Sequence, residues 1–467
     1  MTSRARPDLQ RIVVVGDGQT GVLAALALKQ ALPLCEVTVV AAPPHPAAFA
    51  DRACTALPFS NRLHHRLGIT ERDLVREAGG SYRLITRMAG WGGPEQQYCF
   101  AHGGAGTALP AESFGQRWGG GARGESVADA PASLAQVLAE QGRFTSPFSQ
   151  PHSALHGVEY AMRWQPDAYR DLLIRRAQQA RIGYASAPIT AHDMSEQGVS
   201  AILLEDGTRL QADLYLDCSG PSARLMSQLA GFMRDDWSAS LPLRAIGYAM
   251  PGEPMLVLED RTAVAPHGWV MQIAGRDGLQ TVHGLAEPAD NAVPLCTSAM
   301  RENWLGNVIA IGDASAQFEP LGHFNLDLAH RQIDLLLELL PGRAIHPLER
   351  SEYNRRAAMM AAQVRDTLGL YYAAPAANRQ FGPLVQSDRL AGLIDQFTRR
   401  GRIPFAGESP LPTDELRSLI HALGFRPGSS ALARAGATAT EAFASRAEAA
   451  VRNTPPYAQW LSRVIAG

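Results

Sequence analysis

The stretch from Arg11 to Lys29, RIVVVGDGQTGVLAALALK, limits the fold of this 467-residue chain more than any other. Ile12 to Val15 form a β-branched run suited to a buried parallel strand. Gly16-Asp17-Gly18-Gln19-Thr20-Gly21 follows and opens an Ala/Leu-rich helix. A dinucleotide needs strand, glycine turn and helix in this order. Gly16 permits the tight turn, Gly18 lets the backbone approach a pyrophosphate, and Gly21 lets helix and strand pack closely. Gln19 and Thr20 open the helix, whose free N–H groups and dipole favour the negative charge of a phosphate. The alternative reading is a glycine turn that serves packing alone.

The rest of the chain is consistent with an α/β protein of two or three domains. Val37 to Ala41 (VTVVA) closes the first βαβ unit ahead of the turn Pro43-Pro44-His45-Pro46. An acidic residue usually ends this strand and holds the adenosine ribose, but Ala41 and Ala42 stand there. Residues 58 to 79 read as helical, with Thr70 as an N-cap and Glu71 and Asp73 in the first turn. Ser81 to Ile85 alternates like a strand and leads to Met88-Ala89-Gly90-Trp91. The glycine-rich segment from Gly103 to Gly124 is either a mobile loop over a site or a long surface connection.

Asp167 to Arg181 predicts an amphipathic helix whose arginines form a solvated face. VSAILLEDGTRLQADLYLD predicts a hairpin turning at Asp206-Gly207, and its last strand returns to the nucleotide sheet. Leu241 to Ala286 reads as several strands roofing a pocket. Val308 to Asp313 (VIAIGD) is another buried strand, followed by a long helix to Leu340. Beyond Pro347 the chain reads as mostly helical, including the Ala-rich stretch from Ser429 to Val451.

With 45 acidic and 43 basic residues, the charge balance argues against nucleic acid or an anionic membrane as partner. No stretch is long and apolar enough to span a bilayer, and MTSRARPDLQ has no apolar signal core, so a cytoplasmic protein is expected. The five cysteines are scattered, odd in number and without CxxC spacing, which predicts buried free thiols. His152 and His156 are spaced i, i+4 but lack the companions of a metal motif. His64 and His65 are expected beside a helix surface. Trp91, Trp164, Trp237 and Trp269 read first as core residues, with stacking on an aromatic ligand as the alternative. Lys29 is the chain's single lysine, which restricts amine chemistry to the first helix.

Taken in order, GDGQTG, LGITERDLVREAGGSYRLITRMAGW, EDG…ADLYLDCSG, DWSASLP, VIAIGDASAQFEPL and EYNRR…VRDTLGLYY resemble the flavin-dependent tryptophan halogenase family, from about Arg11 to about Pro427. The resemblance implies a Rossmann-like FAD-binding domain with an inserted substrate-side β-sheet and a mostly helical C-terminal region. Its boundaries would be 1–345 for the FAD domain, built from about 9–60, 160–235 and 300–345 with inserts at about 61–159 and 236–299, and 346–467 for the helical region. It implies FAD held by Gly16, Gly18, Gln19, Thr20, Gly21, Asp313, Phe318, Pro320 and Leu321. The flavin would arrive reduced from a separate, diffusing flavin reductase and react with oxygen to a hydroperoxide that halide opens to hypohalous acid. The implied substrate is an electron-rich aromatic, either a free small molecule or one carried on a peptide or carrier, and a homodimer is compatible.

Several positions depart from the family. Its catalytic lysine is Arg83 here, and a guanidinium donates hydrogen bonds but is a poor nucleophile. Its glutamate falls at Gly322, leaving His323 as the nearest base; the Thr-Gly pair that helps hold chloride becomes Phe324-Asn325. The flavin strap reads Ala53-Cys54-Thr55-Ala56, and the two-tryptophan signature survives as Trp269-Val270-Met271-Gln272-Ile273-Ala274. Arg83 and His323 are therefore the candidate catalytic residues of an FAD-dependent oxidoreductase with an altered reaction centre. The competing hypothesis is a catalytically silent relative that binds a ligand or partner; a nicotinamide-only dehydrogenase ranks third.

Overall fold

The computed structural model describes residues 7–42, 45–93, 97–102, 133–146, 155, 158–404, 409–427 and 437–467. The Gly103 to Gly124 segment, His152, His156 and residues 429–436 lie outside the described residues. The chain divides into two compact units, one made of Met1–Ala78, Trp164–Ser238 and Val293–Ala362, the other of Gly79–Arg163, Ala239–Ala292 and Gln363–Gly467.

The first unit is built on a parallel sheet. β1 (Arg11–Val15) pairs with β2 (Glu36–Val40) on one side and with Leu214–Asp217 on the other. Gly183–Ala185 extends the sheet beyond β2, Val308–Ala310 extends it beyond Leu214–Asp217, and Trp304–Leu305 closes that edge antiparallel. The registers Val15↔Val40, Val40↔Ala185, Val15↔Asp217 and Asp217↔Ala310 bring five carboxyl ends to one level. Ligands bind at this edge of open parallel sheets.

The strands are near-continuous apolar runs because the sheet is covered on both faces. Val13, Val15, Val40, Tyr215, Met226 and Val308 meet in one buried cluster. α1 (Gln19–Ala31) is buried from Gln19 to Leu28, which explains why its sequence is apolar around most of its circumference. Lys29 sits in its last turn and donates to the carbonyls of Pro33 and Cys35 at 3.0 and 2.9 Å, where a cation suits the helix's negative end. The expected hairpin forms between Gly198–Leu204 and Arg209–Leu210, with Gly207 at φ 86° in the turn. Thr70 caps Glu71–Glu77 in a capping box, its hydroxyl accepting from Asp73 N while the Asp73 carboxylate accepts from Thr70 N.

The second unit carries an antiparallel-rich sheet in the order Ala245–Tyr248, Gln280–Leu285, Gly268–Ile273, Glu259–Ala265, Ile85–Ala89 and Gln97–Ala101. Glu259–Ala265 and Ile85–Ala89 run parallel to each other. Trp269 lies over Gly284, where an added Cβ would stand 2.3 Å from the indole. That packing makes Trp269 a core residue, as is the buried Met271. Helices Pro375–Phe381, Asp388–Arg400, Thr413–Ala422, Ala437–Asn453 and Tyr457–Ala466 complete the helical C-terminal region.

Three expectations change. The strand anticipated at Ser81 to Ile85 is broken at Leu84: Ser81–Arg83 pairs with Ala161–Arg163, whereas Ile85–Ala89 joins the larger sheet. The break occurs because the amides of both Leu84 and Ile85 turn to one carbonyl, that of Leu258. His64 is buried rather than beside the surface, with Nε2 2.5 Å from the Tyr169 hydroxyl and its ring edge-on to Trp164. All five cysteines are free, but only Cys35, Cys54 and Cys218 are buried, and Cys296 is exposed. Among the described residues no helix is long and apolar enough to cross a membrane, and no His/Cys/Asp/Glu group could hold a metal.

Candidate active site

In the first unit, the glycine turn is enforced by backbone contact. Gly16 has φ 118°, and a Cβ there would lie 2.3 Å from the Cys218 carbonyl oxygen; a Cβ on Gly21 would lie 1.9 Å from the Gly16 carbonyl oxygen. No acidic residue occupies the first turn of α1, and Gly18 at its N-cap brings no capping side chain. The positive end of the helix is therefore left for an anion from elsewhere.

Asp51 supplies one from within the chain. Its Oδ1 accepts the Thr20 N–H at 2.9 Å, and its carboxylate fills the space in front of Gly18, 2.3 Å from where a Cβ would stand. Gln19 fixes the segment behind it by donating to the carbonyls of Asp51 and Ala53 at 2.8 and 2.9 Å. The Trp164 indole N–H is shared between the Ala53 carbonyl and Gln19 Oε1. Trp164 is thus a buried clamp on the segment from Asp51 to Ala53. Burial pushes the Asp51 carboxyl up to about 6, against the lowering effect of the Thr20 hydrogen bonds.

Asp313 follows Val308–Ala310 at the same edge of the sheet. Its Oδ2 accepts Ala50 N–H at 2.7 Å, while its buried Oδ1 has no hydrogen-bond partner among the described residues. Burial raises its carboxyl well above the usual range, and the neighbouring Asp51 charge adds to the rise. Gln332 holds the turn in place by accepting Gly312 N–H and donating to Ser315 Oγ. The glycine turn and Asp313 thus converge within one unit. A carboxyl with an unused oxygen can exchange a hydrogen bond with a ligand hydroxyl.

Phe318, Leu321 and His323 are buried, and Pro320 is partly so. Gly322 and His323 are consecutive left-handed residues, at φ 72° and 64°, where the chain turns into Phe324–Glu338. Asn325 holds this turn by donating to the Phe318 carbonyl at 2.9 Å. A Cβ at Gly322 would stand 2.4 Å from the Phe324 ring. A side chain at 322 and the ring of Phe324 would therefore compete for one space.

Beyond the end of β2, at Ala41 and Ala42, the acid that lies alongside is Asp17 of the glycine turn. Asp17 Oδ1 accepts Ala42 N–H at 3.2 Å; its Oδ2 accepts the Tyr184 hydroxyl at 2.7 Å and pairs with the Arg170 guanidinium. Arg170 Nε also donates to the Asp17 carbonyl at 2.7 Å. Arg175 and Arg176 behave as the predicted solvated face, pairing with Glu77 and Asp73, but Arg170 does not. Helical spacing turns Arg170 away from Arg175 and Arg176, each by roughly a third of a turn or more, but does not name the partner it meets.

Arg83 belongs to the second unit and is fully buried. Its Nη1 lies 3.3 Å from Asp260 Oδ2, and Asp260 Oδ1 accepts Arg163 Nε at 2.9 Å. Arg163 also donates to the carbonyls of Tyr82, Val257 and Glu259. Two guanidinium groups thus flank one buried carboxylate. His102 and Glu415, both buried, approach to 3.8 Å. Burial, reinforced by the Arg83 charge, lowers the His102 pKa and keeps its ring neutral near pH 7. Asp260, Arg163, His102 and Glu415 carry no motif that sequence reading could have used.

The tryptophan halogenase family model matches residues 11–286 and 274–435. Tryptophan 7-halogenase KtzQ of Kutzneria sp. (strain 744) is 24% identical over 422 residues, covering 78% of this chain and 76% of the relative. Tryptophan 7-halogenase RebH of Lentzea aerocolonigenes is 22% identical over 460 residues, covering 87% and 84%. Among solved structures, BrvH, a flavin-dependent halogenase from Brevundimonas sp. BAL3, superposes with a TM-score of 0.86 at 24% identity over 98% of this chain and 99% of that one.

Proposed function

This chain belongs to the tryptophan halogenase family, and on that premise we propose that it is an FAD-dependent oxidoreductase acting on an electron-rich, indole-like aromatic. Gly16, Gly18, Gln19, Thr20 and Gly21 would hold the pyrophosphate, and Asp313, with Phe318, Pro320 and Leu321 behind it, the ribityl and ring side. The observation that carries this reading is the amino end of α1: a helix without its own cap or acid, already satisfied by a carboxylate that stands in for a phosphate. The unused Asp313 oxygen fits a ribityl hydroxyl.

FAD, delivered reduced by a separate reductase, would supply oxygen activation. Arg83 is assigned as a hydrogen-bond donor, because its guanidinium stays protonated beside Asp260 and cannot serve as an amine nucleophile. With Gly322 lacking a carboxylate, His323 is the base assigned to the aromatic substrate's proton. These replacements favour oxygenation of the ring over its halogenation. Purified protein supplied with FAD, a flavin reductase, oxygen and indoles, with and without bromide, tests this by mass spectrometry. An oxygenated product supports the assignment; a brominated one restores halogenation.

Asp51 also motivates a second reading, a non-catalytic relative that binds a ligand or partner, since the chain's own carboxylate satisfies the phosphate seat. An absorbance titration separates the two. Absence of binding at millimolar FAD would sink the enzyme reading.

A further inference from the structure

The carboxyl end of β2 ordinarily supplies the acid that takes the ribose hydroxyls of a bound adenosine. Ala41 and Ala42 supply none, and Asp17, which reaches this place from the glycine turn, is only 2% exposed. Its oxygens accept from Ala42 N–H, the Tyr184 hydroxyl and Arg170. Asp17 is therefore engaged as an anchor and is not open to a ribose. Two residues it anchors are open: Tyr184, 48% exposed, and Arg170, whose side chain is 28% exposed.

We propose that this chain recognises the adenosine half of its dinucleotide through Tyr184 and Arg170, held in place by Asp17, instead of through a strand-end carboxylate. The proposal rests on the FAD reading above and adds the residues that distinguish FAD from a mononucleotide. An aromatic ring open to solvent normally loses side-chain freedom when a base stacks on it. Here the bond from the hydroxyl to Asp17 has already fixed the ring. Every nucleobase has a π-face for such a ring. The phenol remains protonated and able to donate to Asp17 throughout the neutral range, since burial and the adjoining Asp17 carboxylate push it up to about 12. Arg170 spends Nε and one terminal nitrogen on Asp17 and keeps further N–H donors for ribose or phosphate oxygens. The cation's donors and the phenol's ring thus take the place of the usual acid's acceptors.

Flavin fluorescence titrations of the full chain with FAD and FMN test the assignment, because FMN carries the same isoalloxazine and ribityl groups without the adenosine. Wild-type protein should bind FAD more tightly than FMN. Tyr184→Ala should weaken FAD by about tenfold or more through loss of stacking, and leave FMN unchanged. Tyr184→Phe, which keeps the ring but frees it from Asp17, should give a smaller loss confined to FAD. Arg170→Gln, which retains a donor beside Asp17, should likewise weaken FAD alone, with thermal unfolding run alongside to confirm that the chain is folded. Equal FAD affinity in wild type and Tyr184→Ala overturns the proposal, as does an equal loss for FAD and FMN; in both cases the flavin reading survives. Wild-type protein that binds neither flavin removes that reading and the proposal with it.

Discussion

The carboxylate of Asp51 stands in front of Gly18 and closes the amino end of α1, so the chain brings its own anion to the place where a pyrophosphate would be held. The Asp17 charge raises the Asp51 carboxyl further and Arg170 lowers it, while the Asp51 charge in turn raises Asp313. The ionised form of Asp51 is disfavoured by burial and is retained by the helix dipole and the Thr20 N–H.

Asp51→Asn keeps an acceptor for Thr20 and removes the charge. The folded carboxyl titrates near 6, above its ordinary 3.8, so the folded protein binds the extra proton and Asp51's favourable contribution is complete below about 4. That contribution is lost as pH rises through 6. Thermal unfolding should therefore show Asp51→Asn gaining stability over wild type at pH 7 to 8, with the advantage vanishing as pH falls toward 4. The same variant should bind FAD more tightly at pH 8, since no carboxylate competes with the pyrophosphate. An unchanged or weaker affinity there would show that Asp51 does not oppose the phosphates.

Gly21→Ala tests the packing role of the third glycine separately from ligand. The added methyl would stand 1.9 Å from the Gly16 carbonyl oxygen, which is backbone and cannot rotate away. Overpacking of this kind costs about 1–3 kcal/mol, and this contact belongs at the upper end. Denaturant unfolding in the absence of flavin should show the loss. A loss seen only with FAD present would mean that the glycine serves the ligand and not the fold.

The first βαβ unit, the hairpin at Gly207 and the Thr70 cap were legible in sequence because each rests on local sterics or short-range hydrogen bonds. Asp313 was legible because a Gly-Asp pair after a buried strand stands at the ligand edge of the sheet. Asp51 became a candidate site residue only once the fold set it against Thr20, 31 positions away. Arg170 pairs with a residue 153 positions away, a partner that helical spacing does not reveal. His64 was misplaced for a related reason: helix Phe59–Arg66 is polar overall, and only contact with Tyr169 and Trp164 shows which face turns inward. Gly322 reads as a replaced glutamate only through the family resemblance; that the Phe324 ring lies where its Cβ would stand required coordinates.

That steric pair predicts non-additivity. Gly322→Glu alone places a Cβ against Phe324 and forces a residue that bears a Cβ into the left-handed region, at a cost of about 1–3 kcal/mol. In Gly322→Glu with Phe324→Thr the ring contact is gone and only the backbone part remains. The double variant should be more stable than the sum of its single changes by at least about 0.5 kcal/mol. Simple additivity in chemical denaturation would show that Phe324 moves aside without cost.

Asp260 lies between Arg83 and Arg163, and all three are buried. Removing its charge leaves two guanidinium groups facing a neutral amide, so Asp260→Asn should destabilise the protein by about 3–5 kcal/mol. Arg83→Met removes one of the two cations and should cost less, because Asp260 keeps Arg163 on its other oxygen. Arg83→Lys is the informative companion for chemistry. The ammonium would sit beside the same carboxylate, which favours its protonated form and denies it the free amine that attacks an electrophilic halogen. Arg83→Lys should therefore fold and still give no brominated indole in the reductase-coupled assay. Bromination by that single variant would mean that the identity of residue 83, and not its pairing with Asp260, sets the reaction.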